Sequence, residues 1–416
     1  MREGTGTGLR QVVSGVLEEL QRVVDVLAHR LGRAVAVDDL DFRMLAYSTH
    51  AEEGDQWRAR AILSREAPPE ALAWLRRQRL GRATGPVRLP AENDLGILPR
   101  VVVPVVYQDV RFGYLWLFDA EGSLTEQQLE LASAAAVEAG AVCFRERVVS
   151  RLRTAREGEL VRDLLSDDLQ VRGMSSARLV EENLFAPRGD VTVVVARPLP
   201  AGAEGVDEDD RIALQAAVSM ASTRLGDRGS LRLVRPDHAV LVTPSATLRR
   251  SPELPEALRA TALERLGRTT KWRDVHVATG SPARRLDDAV TSYTQALDAL
   301  RVAEVVPSFA PLVAHEDLGI YALLAGQPVD QLGAHGVHPA VRRLLETDRQ
   351  LFTTAELYLD RAGDARATAD ELGLHRASVY HRVRRIEDIT ELDLSDGQHR
   401  LILHLGIKVS RLLGLV

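Results

Sequence analysis

The sequence predicts a multidomain α+β protein that ends in an all-helical domain. Its 416 residues exceed what one domain usually holds, at roughly 150 residues each. Strand-like and helical segments alternate through most of the chain, and only helical patterns follow a segment rich in Gly, Pro and His at 326–339. The predicted domains are 9–150, ending in a connecting helix to about 168, then 170–325 and 338–416.

The composition is that of an ordinary globular chain. Hydrophobic residues make up 45% and charged residues 27%, which favours neither a membrane protein nor a disordered one. The formal net charge is -6, so a nucleic-acid partner would need a local basic patch. One cysteine, Cys143, excludes an internal disulfide and a site of several thiolates. We expect a cytoplasmic protein without a membrane partner, because neither a leader nor a membrane-length apolar segment is visible.

The N-terminal third has an α/β pattern. Apolar residues recur every three or four positions between Leu9 and Leu31, which predicts an amphipathic helix that ends at Gly32. Alternating apolar runs bounded by turn residues predict short strands after it. The predicted elements are strands at 34–37 and 45–47, a helix at 71–79, and strands at 100–107 and 113–118.

A helix of some forty residues is predicted from Leu124 to about Asp168, because this segment lacks proline. Gly140 and Gly158 each weaken it by about 1 kcal/mol relative to alanine, so a break there is an open alternative. The helix either packs across two domains or pairs with its copy, and we expect a homodimer or higher homo-oligomer. Its apolar residues at nearly heptad spacing are Val137, Ala141, Phe144, Val148, Leu152 and Ala155.

The middle of the chain alternates strands and helices, which is typical of a small α+β sandwich. A hairpin is predicted around the turn Arg235-Pro236-Asp237-His238. The predicted elements are a strand at 191–196, a loop at 198–210, a helix at 212–225, hairpin strands at 231–234 and 239–242, a loop at 244–255, a strand at 275–279 and a helix at 286–305.

The last sixty or so residues predict a helix-turn-helix. Asp364 can cap a short helix over 365–372, Gly373 provides a tight turn, and a second helix covers 376–386. Further helices lie on both sides of this pair. Capping boxes are predicted for them at Thr353 with Glu356 and at Ser395 with Gln398.

The second helix carries the strongest functional signal. Val379, Val383 and Ile386 are spaced to form a buried stripe, and the segment from Leu374 to Ile386 holds four arginines and no acid. Acids lie on the first helix, which argues against an ordinary solvated face. A basic helix of this size fits the major groove, so we expect double-stranded DNA as the partner. The predicted DNA-binding residues are Arg376, Ser378, Tyr380, His381, Arg382, Arg384 and Arg385.

The run from His375 to Glu387, with Thr390 and Asp393-Leu394 after it, resembles the C-terminal helix-turn-helix of PucR/CdaR-type bacterial transcriptional regulators. It keeps the pattern of that family, in which His-Arg, Tyr-His-Arg and Arg-Arg-Ile follow one another and are separated by aliphatic residues. Two upstream parts resemble other domains of these regulators. Segments 275–280, 289–300 and 315–319 are similar to a degenerate GGDEF-like domain, and segments 86–90, 100–118 and 124–125 to a GAF sensor domain.

This resemblance implies a one-component transcriptional regulator. Its parts would be a GAF-like α/β sensor, a GGDEF-like α+β sandwich and an all-α helix-turn-helix domain. A small-molecule effector of unknown identity, or a signal between domains, would alter promoter binding. No sensor residue matches a ligand motif, so the effector-binding residues stay unassigned and no cofactor is expected.

The alternative function is a nucleotide-binding or nucleotide-cyclising signalling enzyme that acts through the GGDEF-like domain. Such an enzyme needs glycines whose backbone N–H groups can approach phosphate. The hairpin instead carries Arg235-Pro236-Asp237-His238. We therefore predict no catalytic residues and prefer the regulator.

Three weaker candidates are interpreted as structural. His315, His335 and His338 are spaced without a clear ligand set, so no metal site is predicted. Cys143 is expected to be a buried thiol rather than a redox sensor. Four aromatic residues either line an effector pocket or pack in the core, and the core is favoured; they are Trp57, Trp74, Trp116 and Tyr107.

Overall fold

The described residues group into two compact units, Met1–Thr154 and Ala155–Val416. Each unit combines helices with a five-stranded sheet, which confirms the predicted α+β class. The predicted division of the second unit at 325–338 stays a prediction. The computed structural model describes residues 8–48, 69–119, 121–186, 189–203, 205–224, 229–267, 271–327 and 337–416.

The first unit is built on an antiparallel sheet of order β2-β1-β5-β4-β3. Four of its strands occur where the sequence predicts them, with ends that agree within three residues, whereas β3 was not predicted. The elements are α1 (Gly8–Leu31), β1 (Val35–Asp39), β2 (Met44–Tyr47), α2 (Pro69–Arg77), β3 (Val87–Leu89), β4 (Arg100–Tyr107), β5 (Val110–Phe118) and the start of α3 (Glu126–Leu164).

The two faces of this sheet belong to different cores because side chains alternate along each strand. Val35 and Leu115 lie on the face that packs with apolar residues of α1 and α3. Tyr114 and Trp116 lie on the opposite face and cluster with Trp74 of α2. The far face is therefore rich in aromatic side chains.

The long helix α3 runs without interruption through both of its glycines. Gly140 has a packing role: a Cβ atom there would lie 3.0 Å from the Val106 carbonyl oxygen and 3.1 Å from Tyr107 Cβ. Glycine thus allows the helix to approach β4 closely. The predicted helix is confirmed, and the alternative of a break at Gly140 or Gly158 is wrong.

The second unit begins with a mixed sheet of order β10-β9-β6-β8-β7, in which only β10 and β9 are parallel. The elements are α4 (Leu169–Glu181), β6 (Val191–Pro200), α5 (Glu208–Arg224), β7 (Leu231–Val234), β8 (Ala239–Pro244), α6 (Ser245–Arg250), α7 (Leu254–Leu266), β9 (Trp272–Thr279), α8 (Ala289–Val305), β10 (Leu312–Ala314) and α9 (Ile320–Ala325).

Helices cover both faces of this sheet, as a sandwich requires. On one face Val194 packs with Leu214 of α5 and Leu258 of α7. On the other, Val195 belongs to the cluster that contains Leu300 of α8. The α5 side also holds an ion pair, in which Lys271 Nζ lies 2.6 Å from Asp207 and also contacts Asp210.

Three sequence predictions in this region are corrected. The loop predicted at 198–210 starts later, because β6 extends to Pro200. Its pairing with β8 stops at Ala196, but its pairing with β9 continues to Pro200. Proline is tolerated on a strand segment with one unpaired side. The loop predicted at 244–255 contains the helix α6, whose first residue, Ser245, bonds Thr192 through its hydroxyl at 2.7 Å. Helix α4 was not predicted, although Asp168 caps it.

The C-terminal part contains only helices, as predicted. They pack around buried apolar residues that include Phe352, Leu403 and Ile407. The elements are α10 (Pro339–Thr347), α11 (Arg349–Asp360), α12 (Ala365–Leu372), α13 (Arg376–Thr390) and α14 (Gly397–Leu412).

Both predicted capping boxes are wrong, and an aspartate takes each role. Asp348 accepts from the N–H groups of residues 350 and 351, so α11 begins a turn before Thr353. Asp396 caps α14 in the same way, while the Ser395 hydroxyl donates to Asp393 at 2.7 Å. Aspartate is among the strongest N-caps because its carboxylate accepts two orphan N–H groups.

Replacement of Gly280 by alanine is expected to destabilise the second unit. The added Cβ would lie 1.8 Å from the Ser292 carbonyl oxygen at the start of α8. Strand and helix must then separate, at a cost of about 2–3 kcal/mol in the free energy of unfolding. Urea unfolding of the full chain measures this loss.

Gly173→Ala is the matched control, because Gly173 lies in α4 with open space around its Cβ position. It should stabilise by about 0.5–1 kcal/mol through helix propensity. Equal stability of the two variants would contradict the packing described for Gly280.

Candidate DNA-binding surface

One side of the recognition helix α13 is an apolar stripe that is buried in the protein. Val379, Val383 and Ile386 are buried, which confirms the stripe predicted from their spacing. This stripe packs against α11 and α12. Since the side of a helix opposite its buried stripe faces outward, the packing determines which residues α13 presents.

Helix α12 and the turn after it complete the motif. The N–H groups of Ala367 and Arg366 donate to the Asp364 carboxylate at 3.1 and 2.8 Å, and these bonds lower the pKa of Asp364. At the other end Gly373 has a left-handed φ of 64°. The N–H of Leu374 then reaches back over it to a carbonyl of α12 at 2.9 Å, as in a Schellman motif. The predicted helix-turn-helix is therefore present.

The outward arc of α13 is polar and basic. Ser378, Tyr380, His381, Arg384 and Arg385 are all exposed. Within the described part of the chain, Arg384 and Arg385 form no ion pair or side-chain hydrogen bond. Their guanidinium groups are thus available to an external anion.

Arg376 and Tyr380 form a pair at the N-terminal end of α13. The guanidinium lies 5.3 Å from the centre of the tyrosine ring, and its Nη2 donates to the hydroxyl at 2.8 Å. A cation–π contact of this kind holds both groups in one orientation. In helix-turn-helix proteins the N-terminal residues of the recognition helix contact base edges, and Arg376 and Tyr380 lie at the corresponding end of α13.

Arg382 differs from the other predicted DNA-binding residues. It is half-buried, and its Nη1 donates to the Thr354 hydroxyl of α11 at 3.0 Å. Thr354 is fully buried and donates in turn to a carbonyl of its own helix. Arg382 thus points to α11 and away from the exposed arc. The sequence contains no signal for this contact, because neither residue lies in a recognisable motif.

The acids of α11 are paired with α14. Glu356 lies 2.7 Å from Arg411, and Asp360 lies 2.8 Å from Lys408. These carboxylates are neutralised by side chains that lie outside α13. They therefore do not neutralise the positive charge of the exposed arc of α13.

The hairpin of the middle region is tied to its own sheet and to α8. Asp237 lies 3.2 Å from Arg197 and 2.7 Å from His238 Nδ1, and His238 Nε2 lies 2.8 Å from the Tyr293 hydroxyl. Burial lowers the pKa of His238. Asp237 and His238 of this turn are thus held by partners within the same region, while the Arg235 guanidinium lies 5.4 Å from the centre of the Tyr293 ring.

The histidines considered as metal ligands are found in separate contacts. His315 Nδ1 lies 3.2 Å from the Ser281 hydroxyl, and His338 Nδ1 accepts from an N–H group as the cap of α10. His335 lies outside the described residues. Among the residues that the structure describes, no three His, Cys, Asp or Glu side chains converge on one point, and no helix is both long and apolar enough to cross a membrane.

The aromatic residues singled out in the first unit mostly belong to its core. Trp74 and Trp116 are buried, which confirms the favoured interpretation. Tyr107 is half-buried with its ring 5.4 Å from Phe144. Trp57 lies outside the described residues. Cys143 is partly buried, and burial raises its pKa to about 11, so the thiol is protonated at neutral pH.

Two segments of the chain match known domain families. Residues 351–409 match the PucR C-terminal helix-turn-helix domain, and residues 185–302 match the GGDEF-like domain. Among solved structures, a regulator of polyketide synthase expression from Bifidobacterium adolescentis covers 62% of this chain and 98% of its own, at 16% identity and a TM-score of 0.28. That TM-score supports no inference about this chain.

Two relatives match along nearly their whole length. The proline-responsive transcriptional activator PutR of Bacillus subtilis (strain 168) is 22% identical over 94% of this chain and 97% of its own. The DNA-binding transcriptional activator AdeR of the same organism is 20% identical over 94% of this chain and 93% of its own. Together with these relatives, the two matched domains indicate a DNA-binding transcriptional regulator that carries a PucR-type helix-turn-helix domain and a GGDEF-like domain.

Proposed function

We propose that the chain is an effector-responsive homodimer that binds promoter DNA through the exposed arc of α13. The observation that supports this most directly is that Arg384 and Arg385 are exposed opposite a buried stripe and have no ion-pair or hydrogen-bond partner for their side chains among the described residues. Arg382 positions the helix through Thr354. The proposed contacts to bases or phosphates come from Arg376, Ser378, Tyr380, His381, Arg384 and Arg385.

A small-molecule effector is supported by the similarity to PutR, which is a proline-responsive activator. This similarity does not identify the effector of this chain. We assign the sensor role to residues 9–150, and keep 170–325 as a middle domain and 338–416 as the DNA-binding domain. Because the target is promoter DNA, the proposed location is the bacterial cytoplasm.

The middle domain is proposed to be non-catalytic. Asp237 and His238 of its hairpin turn are engaged with one another, with Arg197 and with Tyr293, and Arg235 lies over the Tyr293 ring. A phosphate group needs unengaged donors. The turn sequence also lacks the glycines that a nucleotide cyclase uses. The signalling-enzyme alternative therefore gains no support from this geometry.

Helix α3 is proposed to form the dimer interface. Val137, Val148 and Leu152 of the heptad-like stripe are exposed, Leu152 by 66%. Phe144 packs inward on Tyr107 instead. On the same helix, apolar and charged residues of α1 and α3 together line an open groove of about 660 Å³. Exposed apolar residues at this spacing are typical of paired helices.

A dimer of this kind would present two copies of α13 to DNA. Two-fold symmetry of the protein is mirrored in its operator. The expected operator is an inverted repeat whose half-sites lie one helical turn apart or a multiple of it.

Arg384→Ala and Arg385→Ala are each expected to weaken promoter binding. If the side chain contacts phosphate, the slope of log K against log salt falls by about one unit. If it contacts a base, discrimination at one position falls by about 1–3 kcal/mol. Fluorescence anisotropy titrations at several salt concentrations measure both effects.

Arg249→Ala provides the matched control, because Arg249 is an exposed arginine at the end of α6. It should leave affinity and salt dependence unchanged. If both α13 variants titrate like this control, these two arginines are not at the interface.

Arg382→Met is expected to act through stability and position. It removes the bond to the buried Thr354 hydroxyl, which costs about 1–3 kcal/mol in the free energy of unfolding. DNA affinity should fall while the salt slope stays unchanged, because no phosphate contact is lost. A slope reduced by one unit in a stably folded variant would instead make Arg382 a phosphate ligand.

Leu152→Glu is expected to dissociate the dimer, because a carboxylate buried between two helices has no partner. Sedimentation velocity of the full chain measures the mass. Leu169→Glu is the matched control, since Leu169 on α4 is exposed to the same extent, 66%. If the wild type is a dimer and the Leu152→Glu variant is also a dimer, this face of α3 is not the dimer interface.

A further inference from the structure

The first turn of α14 carries an arginine that has no acidic partner. Further along this helix, His404, Lys408 and Arg411 pair with carboxylates of α11. The side chain of Arg400 is half-buried, yet it forms no ion pair and no hydrogen bond with any described residue. A guanidinium group that is partly removed from water is stabilised by an anion beside it. Arg400 is therefore suited to bind an anion from outside the chain.

A glycine makes room for this guanidinium group. Gly363 lies in the turn between α11 and α12 and has a left-handed φ of 85°. A Cβ atom at this position would collide with Arg400 Nη2 and would lie 3.3 Å from Arg400 Cζ. The guanidinium group thus rests against the backbone of the turn, which restricts its movement.

Tyr358 adds an uncharged donor at the same turn. Its hydroxyl would lie 3.4 Å from the same Cβ position of Gly363. The ring is half-buried, and the hydroxyl has no hydrogen-bond partner in the described part of the chain. The Arg400 guanidinium and the Tyr358 hydroxyl therefore lie around one point, and both groups can donate to phosphate oxygens.

The other charges around the turn also favour an anion. Asp364 accepts bonds from N–H groups at the start of α12, and Arg361 is paired with Glu371. The pKa of Asp364 is lowered by those N–H groups and, to a smaller extent, by Arg366 and Arg376, so both guanidinium groups lie near the turn. Arg366 is exposed and forms no ion pair with a described residue. Positive charge is thus in excess at this turn.

The turn lies on the side of the domain where α13 begins. Helices α11, α12 and α13 pack on one another. In the homeodomain, a three-helix variant of the motif, the loop between the first two helices contacts the DNA backbone. The effect of Arg376 on Asp364 places the N-terminal end of α13 close to the corresponding turn of this chain. A duplex that meets this end of α13 therefore also approaches the turn.

We propose that Arg400 and Tyr358 bind a phosphodiester group of the DNA backbone. The guanidinium group and the hydroxyl both donate to phosphate oxygens, and Arg366 adds positive charge beside them. This contact comes from α11 and α14, outside the α12–α13 pair. It rests on the proposed function and adds a second region that contacts DNA.

The salt dependence of DNA binding tests this site. The probe is a mixed-sequence duplex about three helical turns long, because phosphate contacts do not depend on sequence. For full-length Arg400→Gln, the slope of log K against log salt should fall by about one unit, and affinity at about 0.1 M salt should fall about tenfold. Arg400→Lys keeps the charge and should keep the slope of the wild type.

Tyr358→Phe tests the site with Arg400 in place. Loss of one uncharged donor should weaken binding by about two- to tenfold and leave the slope unchanged. Unchanged affinity of this variant would refute the place of the hydroxyl in the site.

Arg249→Gln is the matched control, because it removes the same charge from an exposed position on α6. It should titrate like the wild type. Circular dichroism melting curves verify that each variant is folded.

A folded Arg400→Gln variant with the slope of the wild type would overturn the proposal. So would equal effects of Arg249→Gln and Arg400→Gln, which would reduce the change to net charge. In either case a wild type that binds the duplex leaves the proposed function standing. A wild type that binds no duplex would refute the proposed function together with this site.

Discussion

The burial of Val379, Val383 and Ile386 is the constraint on which the function of this chain depends. Those three side chains fix the rotation of α13 about its own axis. The rotation in turn decides that Arg384 and Arg385 face outward and that Arg382 meets α11. A helix with the same charges but another apolar stripe would direct its arginines elsewhere. Hydrophobic packing thus determines an electrostatic surface.

Features with a repeating pattern could be predicted from the sequence. The apolar stripe of α13, the strands of the first sheet and the unbroken α3 all follow from periodicity. Helix starts could not be placed in the same way, because a Thr-x-x-Glu pattern also occurs inside a helix. Thr353 lies within α11 for this reason, and Asp348 is the cap.

Contacts between side chains from distant segments left no signal in the sequence. The bond from Arg382 to Thr354 joins residues 28 positions apart. The ion pair between Lys408 and Asp360 joins residues 48 positions apart. For the predicted DNA-binding residues, the sequence indicated the charge and roughly which side of the helix each residue lies on. The role of each arginine depended on which residues of other elements pack next to it in the fold.

The pairing of both lysines has a consequence for regulation. Lys271 is bound to Asp207 and Asp210, and Lys408 to Asp360. No lysine occurs in the sequence of α13, so the permanent positive charge of its arc comes from guanidinium groups. A guanidinium keeps its charge at every physiological pH and is not a target of lysine acetylation. Neither acidification nor acetyl transfer can therefore silence these arginines. Under the proposed function, control of promoter occupancy therefore acts through the position or exposure of α13 rather than through its charge.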